Sequence, residues 1–200
     1  MATFRTPKDY TRFIKTVKYY QIANPKPRFS LFHPSTSSLD KNPKIVEIIC
    51  YCLMPNHFHF LVKQKDDHGI TEFTSKITNS YTKYFNIKNR RFGPLFQGEF
   101  KAVHIESNEQ ILHLSRYIHL NPLVGHKTNN LEWYQWSSYR EYLGFKNNVC
   151  EKTIILEQFQ SPANYKQFVL DQKEYGESLE RIKHQLLDDP QVHSYFTPRV

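Results

Sequence analysis

Cysteine is scarce: Cys50, Cys52 and Cys150 are the only three in 200 residues. Three cysteines build no disulfide framework, and a reducing cytoplasm is the simplest compartment for them. Cys50 and Cys52 fall on one face of a strand, and no second Cys pair completes a zinc site, so they read as small apolar packing residues. Long apolar runs are missing too. The best, Ile45 to Met54, is broken by Glu47 and is far shorter than the roughly 18–20 residues of a membrane span. Met1-Ala2-Thr3-Phe4-Arg5 lacks the apolar stretch of a secretion signal. A cytoplasmic protein with no membrane association is expected. There is no internal repeat and no low-complexity tract.

Acidic residues are sparse over the first 130 positions, where 19 Lys and Arg face 9 Asp and Glu, a net +10. The remaining residues hold 8 against 10, a net −2, so the chain carries +8. Clustered cations attract phosphate backbones and release counterions, which makes such binding salt-sensitive; the plainer reading is a generic basic surface. Two hundred residues, 39% hydrophobic and 15% aromatic, suit one domain or one domain with an appendage.

Thr6-Pro7-Lys8-Asp9 reads as a helix start, and Tyr10, Phe13, Ile14, Val17 and Tyr20 form an apolar stripe after it. Asn24-Pro25-Lys26-Pro27 ends the helix, and residues 29–43 form a Ser- and Pro-rich loop. Ile45 to Leu53, apolar on both faces, reads as an interior strand. A tight turn and a second strand, His57 to Lys63, imply an antiparallel pair. A second helix fits Ile70, Phe73, Ile77, Tyr81 and Tyr84 and ends near residues 86–91. Leu95 to Ile105 reads as extended. Ser107-Asn108-Glu109-Gln110 opens a third helix with a core stripe of Ile111, Leu114 and Ile118. Trp133, Trp136, Tyr139 and Tyr142 form an aromatic cluster. A last helix is expected from Asn164 to Leu187 through Phe168, Val169, Leu179, Ile182 and Leu186, weakened at Gly176 and stopped by Pro190.

The most specific segment is Tyr51-Cys52-Leu53-Met54-Pro55-Asn56-His57-Phe58-His59-Phe60-Leu61-Val62. Strand residues i and i+2 share a face, roughly 6–7 Å apart, so His57 and His59 can reach one metal ion while Phe58, Phe60 and Val62 face a core. In Arg116-Tyr117-Ile118-His119-Leu120-Asn121-Pro122, a helix puts Tyr117 and Asn121 on one face. Two imidazoles, an amide oxygen and a phenol are the parts of a metal-assisted nucleophilic site. Each part has a bland reading as well: hydrogen-bonded structural histidines, a tyrosine packed at a core edge, and an Asn-Pro helix stop.

The segments YCLMPNHFHFLVK, RRFGPLFQGEFKAV, YIHLNPL and WSSYREYLG occur in that order. Together they resemble the single-tyrosine HUH transposases, in particular the REP-associated tyrosine transposase group, over Pro7 to Gly144. The resemblance implies an α+β, ferredoxin-like antiparallel sheet with helices packed on it, forming a catalytic domain over 1–145, with a helical C-terminal extension at 146–200. The family's domain opens with a mid-sheet strand before the first helix, and almost nothing precedes Phe4 here. Four readings stay open: a shortened chain, a start assigned too late, a strand donated by a second subunit of a homodimer, or a degenerate gene. Without that strand, sheet backbone groups are expected to lack partners.

The resemblance further implies cleavage of single-stranded, hairpin-bearing DNA. Tyr117 is the expected nucleophile, leaving a 5′-phosphotyrosine and a free 3′-hydroxyl, and reversal rejoins strands without ATP. The absence of a GxxxxGK[ST] phosphate loop is consistent with that. His57 and His59 supply two metal ligands, and the residue four after the tyrosine, Asn121, supplies the third. A neutral His₂Asn set suits Mg²⁺ or Mn²⁺. Arg116 and the metal would favour the phenolate. Arg90, Arg91, Lys101 and Arg116 are candidate DNA contacts. Phe92, Phe96 and Phe100 lie among them and could stack on unpaired bases, with core packing the stronger reading for Phe96. Glu99 stands where the family often has Arg. His104, His113 and His119 read as structural. Two other readings are a non-catalytic DNA-binding remnant and an unrelated metal-dependent phosphohydrolase with a structural Tyr117.

Overall fold

The computed structural model describes residues 2–25, 29–31, 42–96, 100, 102–146 and 149–171. Lys101, Glu99 and the expected helix residues Leu179, Ile182 and Leu186 lie outside them. The elements are α1 (Pro7–Tyr20), β1 (Val46–Leu53), β2 (Phe58–Gln64), α2 (Gly69–Asn89), α3 (Asn108–Val124), α4 (Tyr139–Tyr142), α5 (Thr153–Leu156) and α6 (Pro162–Leu170), with short 3₁₀ turns at Phe29–Leu31 and Leu131–Trp133. The class is α+β. β1 and β2 pair as a two-stranded sheet, and their four-residue connection makes the pair antiparallel. No helix among the described residues is long and apolar enough to cross a membrane.

The chain forms two compact units, both drawing on this hairpin. The first comprises Met1–Ile49, Pro55–Phe58 and Val62–Gly98, and the second Cys50–Met54, His59–Leu61 and Glu99–Val200.

In the first unit, α1 begins as its sequence dictates. Asp9 Oδ2 accepts from the backbone N–H of Arg5 (3.0 Å) and Thr6 (2.9 Å) and from Thr6 Oγ1 (3.0 Å). Its other oxygen accepts from Tyr84 Oη (3.0 Å) and Lys88 Nζ (2.6 Å) of α2. Burial alone would raise the Asp9 pKa; Lys88, Tyr84 and the backbone donors outweigh it and hold the carboxyl below its ordinary value. Phe13 meets Phe4, Phe58 and Tyr81 at centroid distances of 5.1 Å. Phe85, rather than Tyr84, completes the buried face of α2 with Phe73, Ile77 and Tyr81. Gly69 is required where α2 starts, because a Cβ there would come within 2.4 Å of the Ile45 carbonyl oxygen.

β1 is buried almost throughout, as an apolar run on both faces requires. Beyond β2, its other edge is covered from within the second unit. Leu53 N–H donates to Trp136 O (2.9 Å), Ser138 N–H donates to Tyr51 O (3.0 Å), and Cys52 bridges antiparallel to Ser137. The backbone groups expected to lack partners are thus satisfied at Tyr51 and Leu53 by a segment more than eighty residues downstream.

Three expectations need correction. Leu95 to Ile105 forms no strand among its described residues. Trp133 is not part of the aromatic cluster; it is 78% exposed, while Tyr139 and Tyr142 are buried. The last helix starts at Pro162, capped by Ser161 accepting from Asn164 N–H (3.2 Å), and is described to Leu170. α3 also continues a turn past Asn121, since Pro122 is accommodated and the end comes at Gly125, whose N–H bonds Asn121 O (2.8 Å).

Candidate active site

The Pro55-Asn56 turn delivers the histidine pair. His57 sits just before β2, exposed, with Nδ1 2.8 Å from Asn56 Oδ1. His59 is half-buried on β2, in the part of the strand that belongs to the second unit. Its ring meets the ring of Tyr117 edge to face, centroids 5.7 Å apart at 75°. Tyr117 projects from α3 and is 50% exposed. One turn on, Asn121 Nδ2 donates to the Tyr117 carbonyl oxygen (2.8 Å). That bond fixes the amide and leaves Oδ1, the end with lone pairs, outside it. Strand and helix therefore bring His59 against Tyr117, and Asn121 lies one turn further along α3.

What holds α3 in place is a residue read only as structural. His119 is fully buried. Nδ1 lies 2.7 Å from Tyr165 Oη of α6, and Nε2 lies 2.8 Å from Ser138 Oγ. Because the phenol of Tyr165 gives its one proton to Ser115 Oγ, the neutral imidazole is satisfied with Nδ1–H donating to Tyr165 Oη and Nε2 accepting from Ser138 Oγ. Burial drives its pKa down to about 3. Ser138 Oγ in turn accepts from Tyr51 N–H (2.8 Å), and Tyr165 Oη donates to Ser115 Oγ (3.2 Å). α3 is thus tied to the β1 backbone and to α6 by one imidazole two residues from Tyr117. The sequence signal was faint: a Ser115–His119 pair at i, i+4 on the helix face away from Tyr117.

The expected cations have different surroundings. Arg116 lays its guanidinium over the Phe168 ring, 3.6 Å from the centroid, so α6 already occupies it. Arg91 is committed to its own loop, donating to Asn86 Oδ1 (3.0 Å), Gly93 O (3.2 Å) and Pro94 O (2.6 Å). Arg90 is exposed at the end of α2. Phe96 packs against Phe58 (5.6 Å) and Tyr81 (6.4 Å), while Phe92 is 94% and Phe100 45% exposed. His104 and His113 are exposed beside Glu106 and Glu109.

Among the described residues, no group of three or more His, Cys, Asp and Glu side chains could hold a metal ion. A cation at this site would therefore need the Asn121 amide oxygen in addition to imidazole. That donor set, nitrogen and neutral oxygen with a phenol beside it, fits a divalent ion that keeps positions for phosphate and water.

The family model described as transposase IS200 like matches residues 36–121. No curated protein and no solved structure matches. The matched segment contains both histidines, Tyr117 and Asn121.

Proposed function

We propose, from the match of residues 36–121 to the IS200-like transposase family model, that the chain nicks and rejoins single-stranded DNA through Tyr117, on hairpin-bearing strands, as in the REP-associated group its motifs resemble. The observation that carries this reading is the edge-to-face approach of His59 and Tyr117 at 5.7 Å. It sets an imidazole beside a half-exposed phenol.

In this reading Tyr117 Oη attacks the phosphorus of one phosphodiester. The phenol gives up its proton, the bond from phosphorus to the 3′-oxygen breaks, and that oxygen takes a proton to become a free 3′-hydroxyl. The 5′-phosphate is left esterified to Tyr117. Attack on the ester by the 3′-hydroxyl of another strand restores a phosphodiester and returns the phenol, so no nucleotide is consumed. His57, His59 and Asn121 would hold the divalent cation, Mg²⁺ or Mn²⁺, which supplies charge neutralisation at the non-bridging phosphate oxygen. His119 keeps α3 seated while Tyr117 alternates between phenol and ester. Phosphate contact falls first to Arg90 and Lys101, because Arg91 and Arg116 are engaged within the protein.

The test is incubation with an end-labelled hairpin oligonucleotide and Mn²⁺. A covalent adduct is expected with the wild type and not with Tyr117→Phe. Binding without an adduct would support a DNA-binding remnant. Cleavage that survives Tyr117→Phe would reject this reading in favour of a metal-dependent phosphohydrolase.

A further inference from the structure

The loop after α2 holds a bare aromatic ring on a braced frame. Arg90 closes the helix in the left-handed region, with φ at 49°, and its N–H reaches Asn86 O and Ile87 O. Arg91 then folds its guanidinium inward onto Asn86, Gly93 and Pro94, and Asn86 Nδ2 donates to Gly93 O (2.8 Å). Gly93 has φ at 83°, a turn conformation suited to glycine. The residue between the brace and the turn is Phe92, 94% exposed. Three of these hydrogen bonds hold the Gly93 and Pro94 carbonyls and the fourth ties Arg91 to Asn86, next to a ring that is itself almost fully exposed. A phenylalanine serving packing alone would sit inside, as Phe85 does.

The charge around it indicates what the ring meets. Residues 76–96 contain five Lys and Arg and no Asp or Glu. Lys76 pairs with Glu72 and Lys88 with Asp9, whereas Lys83 and Arg90 form no ion pair among the described residues. An apolar protein partner would not call for uncompensated cations beside its anchor. A planar ligand on an anionic tether would, and an unpaired nucleobase in a nucleic-acid strand is such a ligand. A base inside a duplex offers no free face.

We infer that Phe92 is a stacking platform for an unpaired nucleobase, braced by Arg91, with Arg90 taking a flanking phosphate. This rests on the DNA-processing reading and deepens it by assigning separate roles to three adjacent residues. The test compares a labelled oligothymidylate strand with an abasic strand of the same length and with duplex DNA. Wild-type protein is expected to hold the thymidylate strand roughly tenfold tighter than the abasic one. Phe92→Ala should lose that preference while keeping its affinity for the abasic strand, and Phe92→Trp should restore it. Phe92 is at the surface, so the substitutions leave the fold intact.

A Phe92→Ala protein that discriminates as the wild type does would overturn the platform. So would a changed sedimentation coefficient with unchanged DNA binding, which would make Phe92 a contact between copies of the chain. If the tyrosine adduct still forms in either case, the platform alone has failed. A wild type that binds no strand and forms no adduct would remove both readings.

Discussion

The ring of His59 and the ring of Tyr117 stand edge to face, 5.7 Å between centroids. One comes from the strand that follows the Pro-Asn turn, the other from a helix opened by Ser107 fifty residues later. Their approach is what turns a histidine pair and a helical tyrosine into a candidate centre for cation-assisted attack on a phosphodiester.

Metal binding should depend on that pairing. Titration calorimetry with Mn²⁺ is expected to show His59→Ala and Asn121→Ala each losing at least the roughly 10–100-fold that loss of an outer-shell partner costs a metal site. Tyr117→Phe should bind as the wild type does. Undiminished affinity in His59→Ala would remove the site.

His119 should give the fold an acid sensitivity. Its folded pKa of about 3 lies below the ordinary histidine value of about 6.5. Above about pH 6.5 the imidazole is neutral in both states and imposes no penalty. As pH falls towards 3, the unfolded chain gains a proton that the folded chain refuses, so stability is lost by up to about 1.4 kcal/mol per pH unit. Urea unfolding between pH 7 and 4 should show this slope, reduced by one proton in His119→Gln. The same slope in both proteins would contradict the burial.

Arg116 separates a packing role from a DNA role. Its guanidinium over Phe168 should contribute about 1 kcal/mol. Arg116→Met is expected to lower stability by that much and to leave the salt dependence of oligonucleotide binding unchanged. A drop of about 0.7 in the logarithmic salt slope, the value for one single-strand phosphate contact, would instead put Arg116 on the DNA.

Much of this protein is written locally. Thr6 and Asp9 start α1 because a short acid three residues past the cap reaches the first free N–H groups, and Ser107 starts α3 through its own hydroxyl. The apolar run over β1, interrupted only at Glu47, demanded burial on both faces. Such signals depend on neighbours within a turn or a strand, so the sequence alone carries them. Leu95 to Ile105 shows the limit: apolar spacing makes a strand available, but only a backbone partner makes it one.

Partners distant along the chain were decided by tertiary structure. Nothing near Tyr51 indicates that Ser138 would satisfy its backbone, and nothing near His119 names Tyr165 or Ser138 as its partners. Arg116 and Arg91 looked like free cations until packing gave one an aromatic ring and the other a loop to brace. Local propensity and pattern fix which elements form and which faces are apolar. Which hydroxyl meets which imidazole, and which cation is left for a phosphate, depends on contacts closed over dozens of residues, whose energies exist only once the chain has folded.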